Sequence, residues 1–281
     1  MAIAMTTEVG YETSGKGTPV VLIHGSMTSK SHWRPLADVL SDHYAVIAVD
    51  LTGYGETPFP RNPESHRMED EVEMIRGVAS SVKGFDKPLH IVAHSYGGAV
   101  ALCHACRHPG EIASLILFEP MPMHLLIEFD RHSQFSDSRR LIDRIAALAA
   151  EQTPQAAAKA FVDYFSGDGT FSMLPSSAQN NLSRYVHKML LDHRTALHTD
   201  LRMADYSRLT CPISLITGHS SSRVPLAVSR VLIDNMPSIH WVEVPGDHMA
   251  PVSNPQVVNP VIVECLQRHI EILDTAVAGQ L

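Results

Sequence analysis

Short, uninterrupted apolar runs recur along the chain, separated by polar stretches with helical spacing. The runs are residues 19–23 (PVVLI), 44–49 (YAVIAV), 89–93 (LHIVA), 114–118 (SLILF), 212–217 (PISLIT) and 239–244 (IHWVEV). They are too short for buried helices and do not alternate polar with apolar, so they predict parallel strands buried on both faces. Residues 8–13 alternate weakly and predict a first strand, closed by the turn Ser14-Gly15-Lys16-Gly17. Between the runs, residues 31–40 place Trp33, Leu36, Ala37 and Leu40 on one helical face. Residues 67–82 predict a helix whose first turn is acidic (Glu69, Asp70, Glu71), as the helix dipole favours. A helix from about 99 to 107 stops before Pro109-Gly110, another is expected over 225–235, and an amphipathic helix over 255–272 closes the chain.

The rhythm breaks between residues 120 and 209. This stretch contains no strand-like run but helical segments at about 123–132, 138–151, 154–165 and 176–198. Thr153-Pro154 forms an N-cap and first-turn pair, and Gly167-Asp168-Gly169 separates two segments. The pattern predicts an α/β protein: a doubly wound, mostly parallel sheet built from residues 1–119 and 210–281, with residues 120–209 inserted as a helical cap.

Composition narrows the partners. The chain has 281 residues, 44% hydrophobic, with a formal net charge of −8 and no basic cluster, so nucleic acid and anionic membrane are not expected partners. Cysteines 103, 106, 211 and 265 show no disulfide-framework spacing. Residues 1–7 lack a basic region and a long apolar core, so no signal peptide is read there. No apolar run approaches a membrane span. A cytoplasmic location is expected. Cys103-x-x-Cys106 with His104 and His108 has metal-like spacing, but no second cysteine pair exists and the stretch falls in the 99–107 helix, so no metal is expected.

The chemistry concentrates where strands end. Run 89–93 passes through His94 into Ser95-Tyr96-Gly97-Gly98 and then the helical Ala99-Val100-Ala101. A serine at a strand-to-helix joint, with Ala93 two places before and glycines two and three places after, fits a nucleophile elbow. Three other motifs also follow strand ends: His24-Gly25, Asp50-x-x-Gly53-x-Gly55, and Gly246-Asp247-His248. Ligands bind at the carboxyl ends of strands in such sheets. As a set, these motifs resemble the α/β-hydrolase fold family over nearly the whole chain outside the cap.

The resemblance implies a Ser–His–acid triad in that chain order, with Ser95 as nucleophile and His248 as base. The family's usual acid position, after the first strand beyond the cap, here falls in Gly218-His219-Ser220-Ser221-Ser222-Arg223-Val224-Pro225, and Ser221 stands where the aspartate is expected. Some members of the fold carry the acid one strand earlier, which here is Glu119 in Phe118-Glu119-Pro120; Asp247 is the runner-up. Backbone N–H groups of Ser26 and Tyr96 are expected to form the oxyanion hole. The Asp50 motif reads as structural. Met27, Met121 and Met249, with Phe161 and Phe165, are candidate substrate contacts in a partly apolar pocket, and Met123 and Tyr164 stand near them in sequence.

The expected activity is cofactor-independent hydrolysis of a carboxylic ester or lactone of small to medium apolar character. Carbon–carbon bond hydrolysis by the same triad, a ligand-binding protein on the hydrolase shell, and a cofactor-free oxygenase or perhydrolase are the alternatives. The sequence specifies neither the natural substrate nor the oligomeric state.

Overall fold

A computed structural model describes residues 9–85, 87–236 and 238–278. The reading of residues 1–7 as lacking a signal peptide lies outside the described residues. Seven strands form one sheet among the described residues: β1 (Tyr11–Ser14), β2 (Thr18–Ile23), β3 (Tyr44–Val49), β4 (Leu89–His94), β5 (Ile112–Phe118), β6 (Ile213–Gly218) and β7 (Ile239–Val244). Their order is β1-β3-β2-β4-β5-β6-β7. Only β1 runs antiparallel to its neighbour, pairing Tyr11 with Val49 and Ser14 with Val46. That strand starts later than residue 8. It is an exposed edge, positioned by pairing with β3 rather than by a buried face of its own.

Helices α1 (Arg34–Leu40), α2 (Met68–Ser81), α3 (Tyr96–Arg107), α11 (Arg223–Asn235) and α13 (Pro255–Ala278) flank the sheet, and the short α12 (Ala250–Ser253) follows β7. Side chains along each strand alternate between two cores, as the two-residue strand period requires. Val21, Ile23, Ile91, Ala93, Leu115 and Leu117 pack with α2, α3 and α11. Val20, Leu22, Val92, Ile116 and Phe118 pack with Leu36 and Leu40 of α1 and with Val258, Ile262 and Leu266 of α13. Continuous apolar strands are thus explained by helices covering both faces.

Between β5 and β6 run only helices: α4 (Leu125–Glu128), α5 (His132–Ala150), α6 (Pro154–Ser166), α7 (Thr170–Met173), α8 (Ser176–Arg184), α9 (Val186–Leu197) and α10 (Met203–Tyr206). The stretch expected as one helix over 176–198 breaks at Tyr185, and the one expected over 123–132 shrinks to the single turn α4. The insertion has a small core of its own, in which Ile145, Ala157, Ala158, Phe171, Val186 and Met189 close around Met27 from the loop after β2. Expected helix 31–40 opens as a 3₁₀ turn at Lys30–Trp33 and becomes α-helical at Arg34, with Pro35 in the first turn.

Candidate active site

β4 delivers Ser95 to the carboxyl edge of the sheet and α3 begins one residue later. Ser95 has φ 55° and ψ −120°, a conformation that L-residues avoid unless surroundings impose it. Those surroundings are visible. Ser95 N–H donates to Phe118 O at 3.0 Å, and Ser95 O accepts from Met121 N at 3.0 Å and from Gly98 N at 2.9 Å. The glycines permit close approach: a Cβ on Gly97 would sit 2.3 Å from His24 O, and one on Gly98 would sit 2.7 Å from Pro120 Cβ.

The same bonds hold the next residue of β5's exit. Glu119 is fully buried and has φ 41°, although a residue before proline ordinarily favours extended backbone. Its N–H donates to Ile216 O at 3.0 Å. Its carboxylate accepts from Gly218 N–H at 2.8 Å through Oε1 and meets His248 Nδ1 at 2.7 Å through Oε2. His248 Nε2 lies 2.9 Å from Ser95 Oγ. Because a carboxylate only accepts, Nδ1 carries the proton, and Nε2 is left to accept from the serine hydroxyl. A buried carboxylate is costly unless paired, and imidazole N–H plus backbone N–H satisfy both oxygens.

Asp247 turns away from this line; its Oδ1 accepts from Met249 N–H at 2.8 Å and closes the turn into α12. Ser221, at the family's usual acid position, has a buried hydroxyl with no partner among the described residues. The structure therefore joins Ser95, His248 and Glu119 and leaves both other positions out. Asp50, fully buried, accepts from Lys30 N–H and Lys30 Nζ at 2.7 Å each and from Glu56 N–H at 2.9 Å. It ties a loop together, away from the Glu119–His248–Ser95 hydrogen bonds.

Ser26 and Tyr96 line the cavity that holds Ser95. The loop carrying Ser26 is braced by His24, whose Nδ1 donates to Gly25 O at 2.7 Å while Nε2 accepts from Leu51 N–H at 3.0 Å. Burial lowers the His24 pKa to about 4, so the ring is neutral and can do both. Gly25 lets this loop pass close to Ser95, since a Cβ there would lie 2.9 Å from Ser95 Cβ.

The cavity beside Ser95 has a volume of about 60 Å³ and is mostly apolar, with Met121, Phe161 and Phe165 among its walls. Met27 and Met249, expected as substrate contacts, line instead a second cavity of about 520 Å³. Phe161 and Phe165 line both spaces and so partition them. The Phe165 ring lies 4.8 Å from the His248 ring. Among the described residues no group of three or more histidine, cysteine or acidic side chains could hold a metal.

Comparison with known proteins agrees with the fold. The family model described as "Alpha/beta hydrolase family" matches residues 20–261. The chain belongs to the alpha/beta hydrolase family. Among curated relatives, a probable lysophospholipase of Arabidopsis thaliana, BODYGUARD 2, is 42% identical over 107 residues, 36% of this chain and 22% of that protein. The 2-hydroxy-6-oxo-2,4-heptadienoate hydrolase of Pseudomonas putida is 34% identical over 120 residues, 42% of each. The matched region thus spans under half of either relative. Among solved structures, the enol-lactonase of Burkholderia xenovorans LB400 superposes with a TM-score of 0.74 at 19% identity, covering 94% of this chain and 98% of that one. A thermophilic esterase of Thermogutta terrifontis gives 0.71 at 24%, covering 94% of each. These two share the fold.

In this alpha/beta hydrolase the strand-end motifs were legible, but two groups of site residues were not. His94 is buried, and its Nε2 donates to the His248 carbonyl at 2.8 Å, fixing the loop that carries the histidine. Burial, reinforced by the neighbouring His248 and His32, holds its pKa well below the ordinary imidazole value. On α9, Met189, Asp192, His193 and Ala196 face the cavity. The signal for α9 was Lys188 and Asp192, an i,i+4 charged pair flanking the apolar Met189-Leu190-Leu191.

Proposed function

We propose that this hydrolase opens neutral carboxylic esters or lactones through an acyl-enzyme on Ser95. The single observation that carries the reading is the continuous line Glu119–His248–Ser95, at 2.7 and 2.9 Å, ending at an apolar cavity. His248 Nε2 takes the Ser95 proton as Oγ attacks the carbonyl carbon. Glu119 holds the imidazole tautomer and stabilises the imidazolium. The oxyanion is met by the N–H groups of Ser26 and Tyr96. His248 then gives its proton to the departing alkoxide, and water, deprotonated by the same nitrogen, releases the acid. The helical insertion, residues 120–209, acts as the cap that walls the cavity.

Charge argues for a neutral substrate. Among the described residues, no lysine or arginine lines the cavity beside Ser95, and its one charged residue is Asp192. Carbon–carbon hydrolysis is the second reading, favoured by the Pseudomonas putida relative, whose named substrate is a dienoate. A carboxylate-bearing substrate would meet no lysine or arginine there among the described residues, so the ester or lactone reading is preferred.

The test is labelling with a fluorophosphonate, with hydrolysis of p-nitrophenyl esters measured alongside. Stoichiometric labelling of the wild type, lost in Ser95→Ala, is the expected result. Glu119→Gln should lower kcat by about 10⁴, the scale for replacing a triad acid by its amide, with labelling correspondingly slowed. Unlabelled wild type would overturn the serine mechanism and leave a binding protein as the better reading. Turnover unaffected in Glu119→Gln would remove Glu119 from the triad.

A further inference from the structure

The two proposed oxyanion donors come from different places, Ser26 from the loop after β2 and Tyr96 from the first turn of α3. Both side chains reach the same helix of the insertion. Ser26 Oγ donates to Asp192 Oδ2 at 2.6 Å, and the Tyr96 hydroxyl lies 2.8 Å from Thr195 Oγ1. Thr195 Oγ1 donates its own proton to Asp192 O at 3.0 Å, so the tyrosine is the donor in the second bond. Asp192 and Thr195 are three residues apart on α9 and share one face.

Behind this contact lies a buried ionic network. Lys188, one turn earlier on α9, pairs with Asp192 and, at 3.0 Å, with Glu71 of α2. Tyr54 OH donates to Asp192 Oδ2 at 2.5 Å, and Thr52 and His66 complete Glu71. Lys188, Asp192 and Glu71 are each at most 2% exposed. The Lys188 ammonium sits 5.0 Å and 5.1 Å from the ring centroids of Tyr54 and Tyr96. Burying ions is costly unless each is fully paired, and apolar side chains would seal a helix to a sheet at lower cost. What ions and hydroxyls add is fixed direction, and here the directions converge on the two residues proposed as oxyanion donors.

We propose that Asp192 and Thr195 are positioning residues: through them α9 holds Ser26 and Tyr96 so that their backbone N–H groups converge on the oxyanion. This rests on the serine-hydrolase reading. Its consequence is that α9 is the fixed part of the insertion. A swing of α9 away from the sheet would dismantle the oxyanion hole.

The test uses the full chain. Ser26→Ala with Tyr96→Phe cuts both tethers yet keeps both backbone N–H groups and every buried ion; Asp192→Asn and Thr195→Val cut them from the α9 side. The readouts are kcat and KM for p-nitrophenyl butyrate, the Ki of an alkyl trifluoromethyl ketone, whose adduct is an oxyanion, and thermal midpoint. Losing one oxyanion donor outright costs 10²–10³, so misplacing the pair should lower kcat by about 10–100-fold. The ketone's Ki should weaken by a similar factor with KM within about threefold, and Thr195→Ser should restore what Thr195→Val loses. Lowered thermal midpoints with kcat and Ki unchanged would overturn the proposal and make the network a fastening only. If Asp192→Asn does not fold, the double variant decides alone. A wild type that is neither labelled by fluorophosphonate nor active on esters would overturn the function reading and this inference with it; an active wild type with unaffected variants would overturn this inference alone.

Discussion

Two residues of the proposed triad sit in backbone conformations that side-chain-bearing residues rarely adopt, Ser95 at φ 55° and Glu119 at φ 41°. Neither conformation is local in origin. Each is imposed by bonds to other strands' ends: Ser95 to Phe118 and Met121, Glu119 to Ile216. The elbow also depends on absent atoms. Gly97 faces His24 O and Ile23 O, at 2.3 Å and 2.8 Å from a notional Cβ, and backbone on both sides cannot retreat as a flexible side chain can. Gly97→Ala should therefore destabilise the fold by about 1–3 kcal/mol, as overpacking does. It should also depress ester turnover well beyond the loss of folded protein, because the first turn of α3 carries Tyr96. Denaturant unfolding beside active-site titration separates the two effects, and a variant with wild-type kcat per folded molecule would contradict this account of the elbow.

At the scale of elements, the insertion matters most through α6 and α9. α6 presents Phe161 and Phe165 as the wall between a cavity of about 60 Å³ and one of about 520 Å³. The smaller space is about twice one water's share and too small for most ligands, whose pockets are roughly 300–1,000 Å³. Removing the wall should join the two. Phe165→Ala is expected to raise kcat/KM for p-nitrophenyl octanoate relative to the butyrate by roughly tenfold, the scale of a few methylenes in an apolar pocket. An unchanged ratio across the ester series would mean that the larger cavity takes no part in substrate binding. α9 illustrates why elements are harder to read than strands. Its helical spacing was plain, yet the break at Tyr185 that separates it from α8 has no proline or glycine to announce it. Only packing around Val186 and Met189 against Met27 decides where one helix stops and the next begins.

The whole molecule carries an acid liability. His24, His90, His124 and His269 are buried with pKa values lowered to about 4, and His32 to about 3, in each case foremost by burial. Folded, these rings stay neutral; unfolded, they protonate near pH 6.5. The unfolded state therefore binds more protons between pH 6.5 and about 4, and stability falls as pH drops through that window. Each such histidine adds up to ~1.4 kcal/mol per pH unit to the loss. Glu71 and Glu111, with pKa values held at about 2, act at lower pH: their stabilisation is present above about 4.5 and disappears as pH falls toward 2. For Glu71, burial opposes ionisation and Lys188, His66 and Thr52 outweigh it; for Glu111, Arg76 is the main cause. Urea midpoints measured from pH 7.5 down to 4.5 should be level above about 7 and then decline steadily. A midpoint unchanged down to pH 5 would show that the buried histidines gain compensating partners on protonation.

Local pattern was enough for the sheet, the flanking helices and the chemical candidates. Continuous apolar runs of five or six residues are satisfied between two helical layers, and the strand-to-helix joint at Ser95 became a candidate nucleophile once the other strand-end motifs stood beside it. Glu119 could be singled out because the resemblance to the fold family offers that position for the acid, and a carboxylate at the end of an apolar strand needs a partner. What the chain could not reveal by itself was every relation between residues distant in sequence. Glu119 rather than Asp247 meets His248 because the exit of β5 is twisted to φ 41°, a consequence of three strands ending together. Met27 and Met249 belong to the larger cavity, not the one at Ser95, and Phe161 and Phe165 line both. Asp192 and Thr195 reach Ser26 and Tyr96 across 166 and 99 residues of chain. Periodicity records which face of an element is buried; it carries no record of which element is on the other side, and that is decided only when the sheet and the insertion pack together.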